Sequence, residues 1–327
     1  MKNTIILFTF LSSFFEGTST YPMDPLPSLR FVTIGDWGGI PLPPYYTKQE
    51  TLVADEMGKI VAKWGADFVL SVGDNFYYDG ITDVTDFRFK STYESVFNAD
   101  SLKNVPWYIT AGNHDHNGNV SAQIAYSKVS PRWKYPNLYY DLSFTIPSTN
   151  VSVRLLLIDT VTLCGNSDDF LLGQPEGPAD EKVAVEQLQW LEEKLRGSKE
   201  QYLLVAGHYP VWSVAEHGPT HCLIKHVEPL FKKYNVTAYL CGHDHNLQYL
   251  QDDAGIGYVL SGAGNFVEHS LKHKGKVPEG YLRFYEAELE NMGGFVYVQI
   301  TPKEMSITYI QPGGKSLFQT TLHPRFM

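Results

Sequence analysis

Short apolar runs closed by a glycine and then a polar residue recur along the chain. Residues 30–34 lead into Gly35-Asp36, 66–72 into Gly73-Asp74-Asn75, and 105–111 into Gly112-Asn113-His114-Asp115. Further on, 155–158 lead into Asp159, 202–206 into Gly207-His208, 238–241 into Gly242-His243-Asp244-His245, and 258–260 into Ser261-Gly262-Ala263-Gly264-Asn265. Apolar runs of this length bounded by glycine read as buried strands. Val53, Met57, Ile60, Val61 and Trp64 share one face at helical spacing, so 30–74 reads as a β-α-β unit. A second helix is predicted over 180–195, with Ala184, Leu188, Leu191 and Leu195 facing inward. Residues 295–300, 305–310 and 316–322 read as antiparallel strands. The mature chain shows no repeat, charge run or low-complexity linker, and polar strand ends fall before and after every plausible cut. We therefore expect an α/β fold in one domain, with two mixed β-sheets packed together and flanked by helices.

The N-terminus has a different pattern. Lys2 precedes a largely apolar stretch over 4–15, and Gly17 and Ser19 stand at cleavage spacing. This is the layout of a secretory signal peptide over 1–19, followed by a catalytic domain over 20–327 with no membrane span. Asn119, Asn150 and Asn235 each open an Asn-x-Ser/Thr sequon, in keeping with export and glycosylation. Three cysteines exclude a disulfide-stapled miniprotein and a thiolate zinc module. Three pairings are open on the sequence alone. Cys241 lies in an apolar strand-like run and reads as a buried thiol, which favours Cys164 with Cys222.

The 327 residues carry 26 Lys plus Arg against 36 Asp plus Glu, a formal charge of -10. A nucleic-acid binder with a broad basic face is excluded on that balance. A small phosphorylated ligand is compatible with it, because bound metal ions reverse the local sign. In open α/β sheets functional groups gather beyond the carboxyl ends of the strands. Asp36, Asp74, Asn113, His208, His243 and His245 stand there, with Tyr77 three residues after Asp74. Taken singly, such residues are usually turn residues, caps or satisfied core histidines. Together they form a set of hard and borderline donors suited to Fe, Mn or Zn. Seven groups exceed the needs of one metal. Two metals sharing a carboxylate fit the count, and such pairs hold the attacking and leaving oxygens of a phosphoryl displacement. Tyr78 is the competing phenol, and register with Asp74 favours Tyr77. Gly262-Ala263-Gly264-Asn265 reads as a tight turn at the cleft wall rather than a phosphate loop, and His116 as a surface residue.

The boxes Gly35-Asp36-Trp37-Gly38, Gly73-Asp74-Asn75-Phe76-Tyr77, Gly112-Asn113-His114-Asp115, Gly207-His208 and Gly242-His243-Asp244-His245 resemble those of the metallophosphoesterases. The tyrosine narrows the resemblance to the purple acid phosphatases and their small mammalian-type branch, across nearly the whole mature chain. The resemblance implies a four-layer α/β/β/α sandwich and an acid phosphatase (EC 3.1.3.2 type). Such an enzyme hydrolyses phosphomonoesters through a metal-activated hydroxide. Asp36, Tyr77 and His245 would hold Fe(III), and Asn113, His208 and His243 a divalent ion, Fe(II) with Zn or Mn as substitutes. Asp74 would bridge the two. His114 and His217 would orient phosphate and assist the leaving group. Cys164 and Cys222 match the family's disulfide positions. Residues 163–174 resemble an exposed repressive loop, activated by a protease, whose Asp168 or Asp169 would reach the metals. Phosphoproteins, nucleotides and small esters are the substrate classes implied, in a secreted or lysosomal protein. The segment 268–276 has no assignment from the resemblance. The rival readings are a Zn or Mn nucleotidase or phosphodiesterase, and a secreted binding or iron redox protein.

Overall fold

A computed structural model describes residues 27–167 and 173–325. Residues 1–19, expected above to be a signal peptide, and Asp168 and Asp169 lie outside the described residues.

Two seven-stranded mixed sheets face each other. The first runs in the order Ser316–Leu322, Met305–Ile310, Phe295–Ile300, Leu29–Ile34, Phe68–Val72, Trp107–Thr110, Trp133–Lys134. The second runs Leu282–Glu286, Leu247–Gln251, Gly257–Ser261, Ala238–Cys241, Tyr202–Ala206, Ser152–Leu157, Tyr140–Thr145. In the first sheet the four strands from Leu29–Ile34 to the Trp133–Lys134 edge pair in parallel and the three C-terminal strands add on antiparallel; in the second sheet the four central strands are parallel and the outer ones antiparallel. Side chains alternate across the second sheet as strand geometry requires. Leu155, Leu157, Leu204, Ala206, Leu240 and Val259 enter the core shared with the first sheet. Leu156, Leu203, Val205, Tyr239 and Tyr258 enter a second core under the helices. Both faces are thus covered, which explains why these strands read as unbroken apolar runs.

The Lys48–Trp64 helix links the first two parallel strands and buries Val53, Met57, Ile60 and Val61. Thr47 and Glu50 close its N-terminus as a reciprocal capping box. The Glu181–Gly197 helix starts at Asp180, whose side chain accepts from Lys182 N and Val183 N. It buries Ala184, Leu191 and Leu195, with Leu188 partly buried. Gln187 on the same face is buried for its hydrogen bonds. Its Oε1 accepts from Asp159 N at 2.7 Å and its Nε2 donates to Asp159 O at 3.0 Å.

Backbone hydrogen bonds join the sheets at one edge. Gly35 N donates to Ser261 O at 2.7 Å, Gly264 N to Gly35 O at 3.2 Å, and the Ser261 hydroxyl to Thr33 O at 2.9 Å. The carboxyl ends of parallel strands from both sheets therefore meet at one place, and the candidate chemistry is concentrated there. Beneath it, fully buried Trp37 is ringed by Phe76, Tyr93, Phe97, Trp107 and Trp133, and its Nε1 donates to Ser71 Oγ at 2.8 Å.

Candidate metal centre

All seven predicted donors converge on this edge. Ligand atoms of Asp74, His208 and His243 lie within 4.8 Å of one another. The Tyr77 hydroxyl is 2.9 Å from His245 Nε2 and donates to Asp36 Oδ1 at 3.2 Å. Asn113 Oδ1 is 2.9 Å from His208 Nε2, which is also 3.4 Å from Asp74 Oδ2. Tyr77 is fully buried, whereas Tyr78 is 43% exposed and faces His114 and Phe266. The adjacent phenols are thereby sorted into an interior donor and a rim residue.

The backbone over-determines the donors. Asp36, Asp74 and His243 have φ of 58°, 53° and 75°, a left-handed conformation that costs non-glycine residues energy and concentrates at functional sites. From the sequence, the preceding glycines are expected to turn the chain. The structure adds close approach: a Cβ on Gly242 would lie 2.2 Å from Asp36 Oδ2, and one on Gly112 would lie 2.1 Å from Asp74 Oδ1. Each glycine leaves room for another strand's carboxylate.

The surrounding hydrogen bonds set tautomers. His208 Nδ1 sits 2.9 Å from the carbonyl of Val72, so it carries a proton, and Nε2 faces the oxygens of Asn113 and Asp74, to which it donates only as an imidazolium. A metal-ligating histidine is commonly oriented in this way. His114 Nδ1 donates likewise to Tyr78 O at 2.8 Å. His217 stacks on His243 with ring centroids 4.1 Å apart, and its buried Nδ1 has no hydrogen-bond partner among the described residues.

Burial pushes Asp36 well above the ordinary carboxylate range; His208 pulls it back in part and Asp74 adds to the rise. Burial also raises Asp74, but His208 and His114 outweigh it and hold the group below its usual value. Burial disfavours charge on His208, yet Asp74 and Asp36 lift it to about 10. Burial, then His217 and His208, hold His243 well below its usual value. The protein groups alone thus keep a proton on His208 to balance carboxylate charge. A cation among these donors supplies the same balance and frees the imidazole nitrogen to bind it. Buried oxygen and nitrogen donors aimed at one another, with an orphaned His217 nitrogen beside them, fit two hard or borderline metal ions.

Several supporting groups are not singled out by the sequence. Asp115 is fully buried and accepts from Gly112 N, Asn75 N, Asn75 Nδ2 and Gln123 Nε2 at 2.7–3.1 Å. Burial, reinforced by Asp74, raises it to about 6. Asp244 takes the Ser213 hydroxyl on one oxygen and the His217 backbone N–H, at 2.9 Å, on the other. Both aspartates sit beside donors inside the motif boxes, and that position is the signal available for them. The expectation for His116 is corrected. Its side chain is only 20% exposed and its Nε2 is 2.8 Å from Oδ2 of fully buried Asp159, because one turn of the Asn113–His116 helix aims it at the second sheet. Asn265, at the Gly-rich turn, binds Gly39 O and Thr47 and is structural. Cys164 and Cys222 form a disulfide, and Cys241 is a buried free thiol. Asn119, Asn150 and Asn235 are exposed. No helix among the described residues is long and apolar enough to cross a membrane.

Two mixed sheets with this donor set at their joined edge define a metallophosphoesterase, and the family model described as calcineurin-like phosphoesterase matches residues 29–247. The chain belongs to that family and, within it, to the purple acid phosphatases. It is 61% identical to tartrate-resistant acid phosphatase type 5 of Homo sapiens over 299 residues, 91% of this chain and 92% of that one. It is 30% identical to purple acid phosphatase 17 of Arabidopsis thaliana over 89% of this chain and 83% of the relative. Among solved structures, GAP50, the anchor in the inner membrane complex of Plasmodium, superposes with a TM-score of 0.78 at 22% identity, covering 91% of this chain and 90% of that one. That likeness speaks for the fold alone. The protein is an acid phosphatase.

Proposed function

We propose that the protein is a secreted or lysosomal, glycosylated acid phosphatase. In this reading it hydrolyses phosphomonoesters at a dinuclear Fe(III)/divalent centre. The observation that carries the reading is the Tyr77 hydroxyl, buried beside His245 Nε2 and Asp36. A phenolate in that place selects a ferric ion, which Asp36, Tyr77 and His245 hold. Asn113, His208 and His243 would hold the divalent ion, Fe(II) or else Zn or Mn, and Asp74 would serve both. The metals supply an activated water nucleophile in acid and offset the charge of the phosphate.

The chain's own residues do the rest. His114 is fixed by its Nδ1–H on Tyr78 O, so that in its imidazolium form the second proton, on Nε2, can pass to a departing alkoxide. His217, held by Asp244 through its backbone and stacked on His243, brings an imidazole nitrogen to the phosphate. Trp37 and the Asp115 network keep the loops that bear Asp36, Asp74 and Asn113 from shifting. The leader over 1–19 is removed on export, 20–327 form the catalytic domain, and glycans are carried on Asn119, Asn150 and Asn235.

Residues 163–174 act in this reading as a repressive loop, with Asp168 or Asp169 competing with anionic substrate. Its base is fastened by the Cys164–Cys222 disulfide and by Asn166 Nδ2 on Asn117 Oδ1 at 2.8 Å. A clean protease cut inside the loop should raise kcat; unchanged turnover in nicked protein would remove the regulatory role.

The deciding experiment is the visible absorption spectrum of the purified enzyme, before and after a mild reductant, with phosphate release followed in acid. A broad band that shifts but survives reduction is expected. A colourless enzyme that holds metal and still releases phosphate overturns the ferric-phenolate assignment in favour of a Zn or Mn centre.

A further inference from the structure

The segment between Val267 and Val277 carries Lys272, Lys274 and Lys276 against Glu268 alone, in a chain of net charge -10. Its position gives this local reversal of sign a meaning. At one end Glu268 N donates to the carbonyl of His245, a residue of the metal cradle, at 2.8 Å. In the middle, Ser270 Oγ and Lys272 Nζ both bind the Glu216 carboxylate, at 2.8 and 2.6 Å. His273 N donates to Val214 O at 3.1 Å, and His273 Nδ1 donates to Ala215 O at 2.8 Å. Its ring lies against Gly218, where an added Cβ would approach it to 2.4 Å. The segment therefore packs on the 214–218 stretch that presents His217. It ends in a single turn, Lys274–Lys276, ahead of buried Val277.

This is a braced arm at the edge of the mouth, and its charges act separately. Lys272 neutralises Glu216, which leaves Glu268, close enough to feel the charge of His217, as the one acid of the arm outside an ion pair among the described residues. Lys274 and Lys276 are exposed and form no ion pair among the described residues. They follow His273 by one and three residues, and His273 packs against Ala215 and Gly218 on either side of His217. A small ester carries no flanking chain that could pair with these lysines. An extended peptide advances about 3.3–3.6 Å per residue. Residues a few positions from a phosphorylated side chain would therefore cross the arm.

We propose that the Lys272–Lys276 arm is a substrate-docking surface that engages acidic residues flanking the phosphorylated residue of a phosphoprotein. The inference rests on the phosphatase reading and deepens it by assigning a surface of this chain and the flanking charge that it selects. Charge complementarity selects the partner: two unmatched lysines attract Asp- and Glu-rich chain and contribute nothing to a neutral one. Being exposed, each pair supplies modest and salt-sensitive attraction, so the effect falls on KM rather than on kcat.

The test compares the wild-type enzyme with the double variant Lys274→Glu/Lys276→Glu on three substrates. These are a phosphoserine peptide flanked by Asp and Glu, the same peptide with Asn and Gln in their place, and 4-nitrophenyl phosphate. The acidic peptide's KM is expected to rise roughly three- to tenfold in the variant with kcat held, and the difference to shrink in about 0.5 M salt. The neutral peptide and the small ester should change by less than about twofold. The small ester also serves as the control for folding, and Lys274→Ala/Lys276→Ala should give a smaller shift in the same direction. An equal change on both peptides, or none on the acidic one, overturns the docking role while the phosphatase reading stands. Loss of affinity for a sulfated polysaccharide with unchanged peptide kinetics also overturns it and assigns the arm to a glycan. Failure of the wild type to release phosphate from the small ester breaks the phosphatase reading itself.

Discussion

The metal cradle and the rim around its mouth are held by different means. Each cradle donor is fixed by backbone that has little room to move. Asp36, Asp74 and His243 sit at positive φ, and glycines 112 and 242 give way to neighbouring carboxylates. Rings pack around Trp37 beneath them. The rim is held at fewer points: the Glu216 carboxylate, the His273 ring, backbone bonds to His245 and Val214, and, at the base of the 163–174 loop, the Cys164–Cys222 disulfide and the Asn166 amide. Rigid preorganisation suits chemistry, which needs sub-ångström placement of charge. A lightly tethered edge suits recognition, because it can change without disturbing the core. The difference implies that substitutions in the cradle act on turnover and metal content, and substitutions on the rim act on KM and access.

The largest effect expected on this comparison comes from His208→Ala, or equally Asn113→Ala. Either removes a donor whose place no neighbour can fill. For His208 the loss is compounded, since Asp74 and Asp36 lose the group that balances them. Loss of one metal forfeits several kcal/mol of charge stabilisation in the transition state. Phosphate release should therefore fall by about a thousandfold or more. Elemental analysis should show the divalent ion depleted. Retained hydrolysis at normal metal content would mean that these residues are not ligands, and the contrast between cradle and rim would lose its basis.

Much of the cradle is legible in the sequence because its signal is repeated. The strands 202–206, 238–241, 295–300, 305–310 and 316–322 fall where the apolar pattern puts them. A buried parallel strand ending in Gly plus a donor says the same thing at several places, so the set can be read together. The strands Leu247–Gln251 and Leu282–Glu286 give no such signal. Gln248 stands in the first as a buried polar residue, bound to Ser213 and Val214, and breaks the apolar run. His116 departs from expectation for a related reason. A lone histidine looks like surface until the distant residue that pairs with it, Asp159, is brought within 2.8 Å by the packing of two sheets. Polar groups buried by long-range pairing leave no periodic trace, and Asp115 and Asp244 belong to the same class. The arm at 268–276 has no assignment from sequence because nothing local in it reveals that Glu216 and Ala215 lie beneath it.

The smallest expected effect tests whether the rim is tethered by charge. Glu216 is held below the usual carboxylate range, first by its hydrogen bonds to Lys272 and Ser270 and further by the charge of Lys272. A carboxyl whose folded-state pKa is depressed contributes stability above its unfolded pKa of about 4.3, and loses that contribution as the pH falls through the folded value. Glu216→Gln keeps the shape and removes the charge. At pH near 7 the amides of residues 272–276 should then exchange with solvent faster than in the wild type, by about two- to fivefold, a size set by the weakness of exposed ion pairs. As the pH drops below the folded pKa of Glu216, the wild-type carboxyl takes up its proton and the two proteins should converge. Exchange at cradle amides such as those of 113–116 should be unaffected throughout, because none of their hydrogen bonds runs through Glu216. A ratio that stays constant down to acid pH would show that the arm is held by shape and neutral hydrogen bonds, leaving Lys272 as a third charge available to substrate.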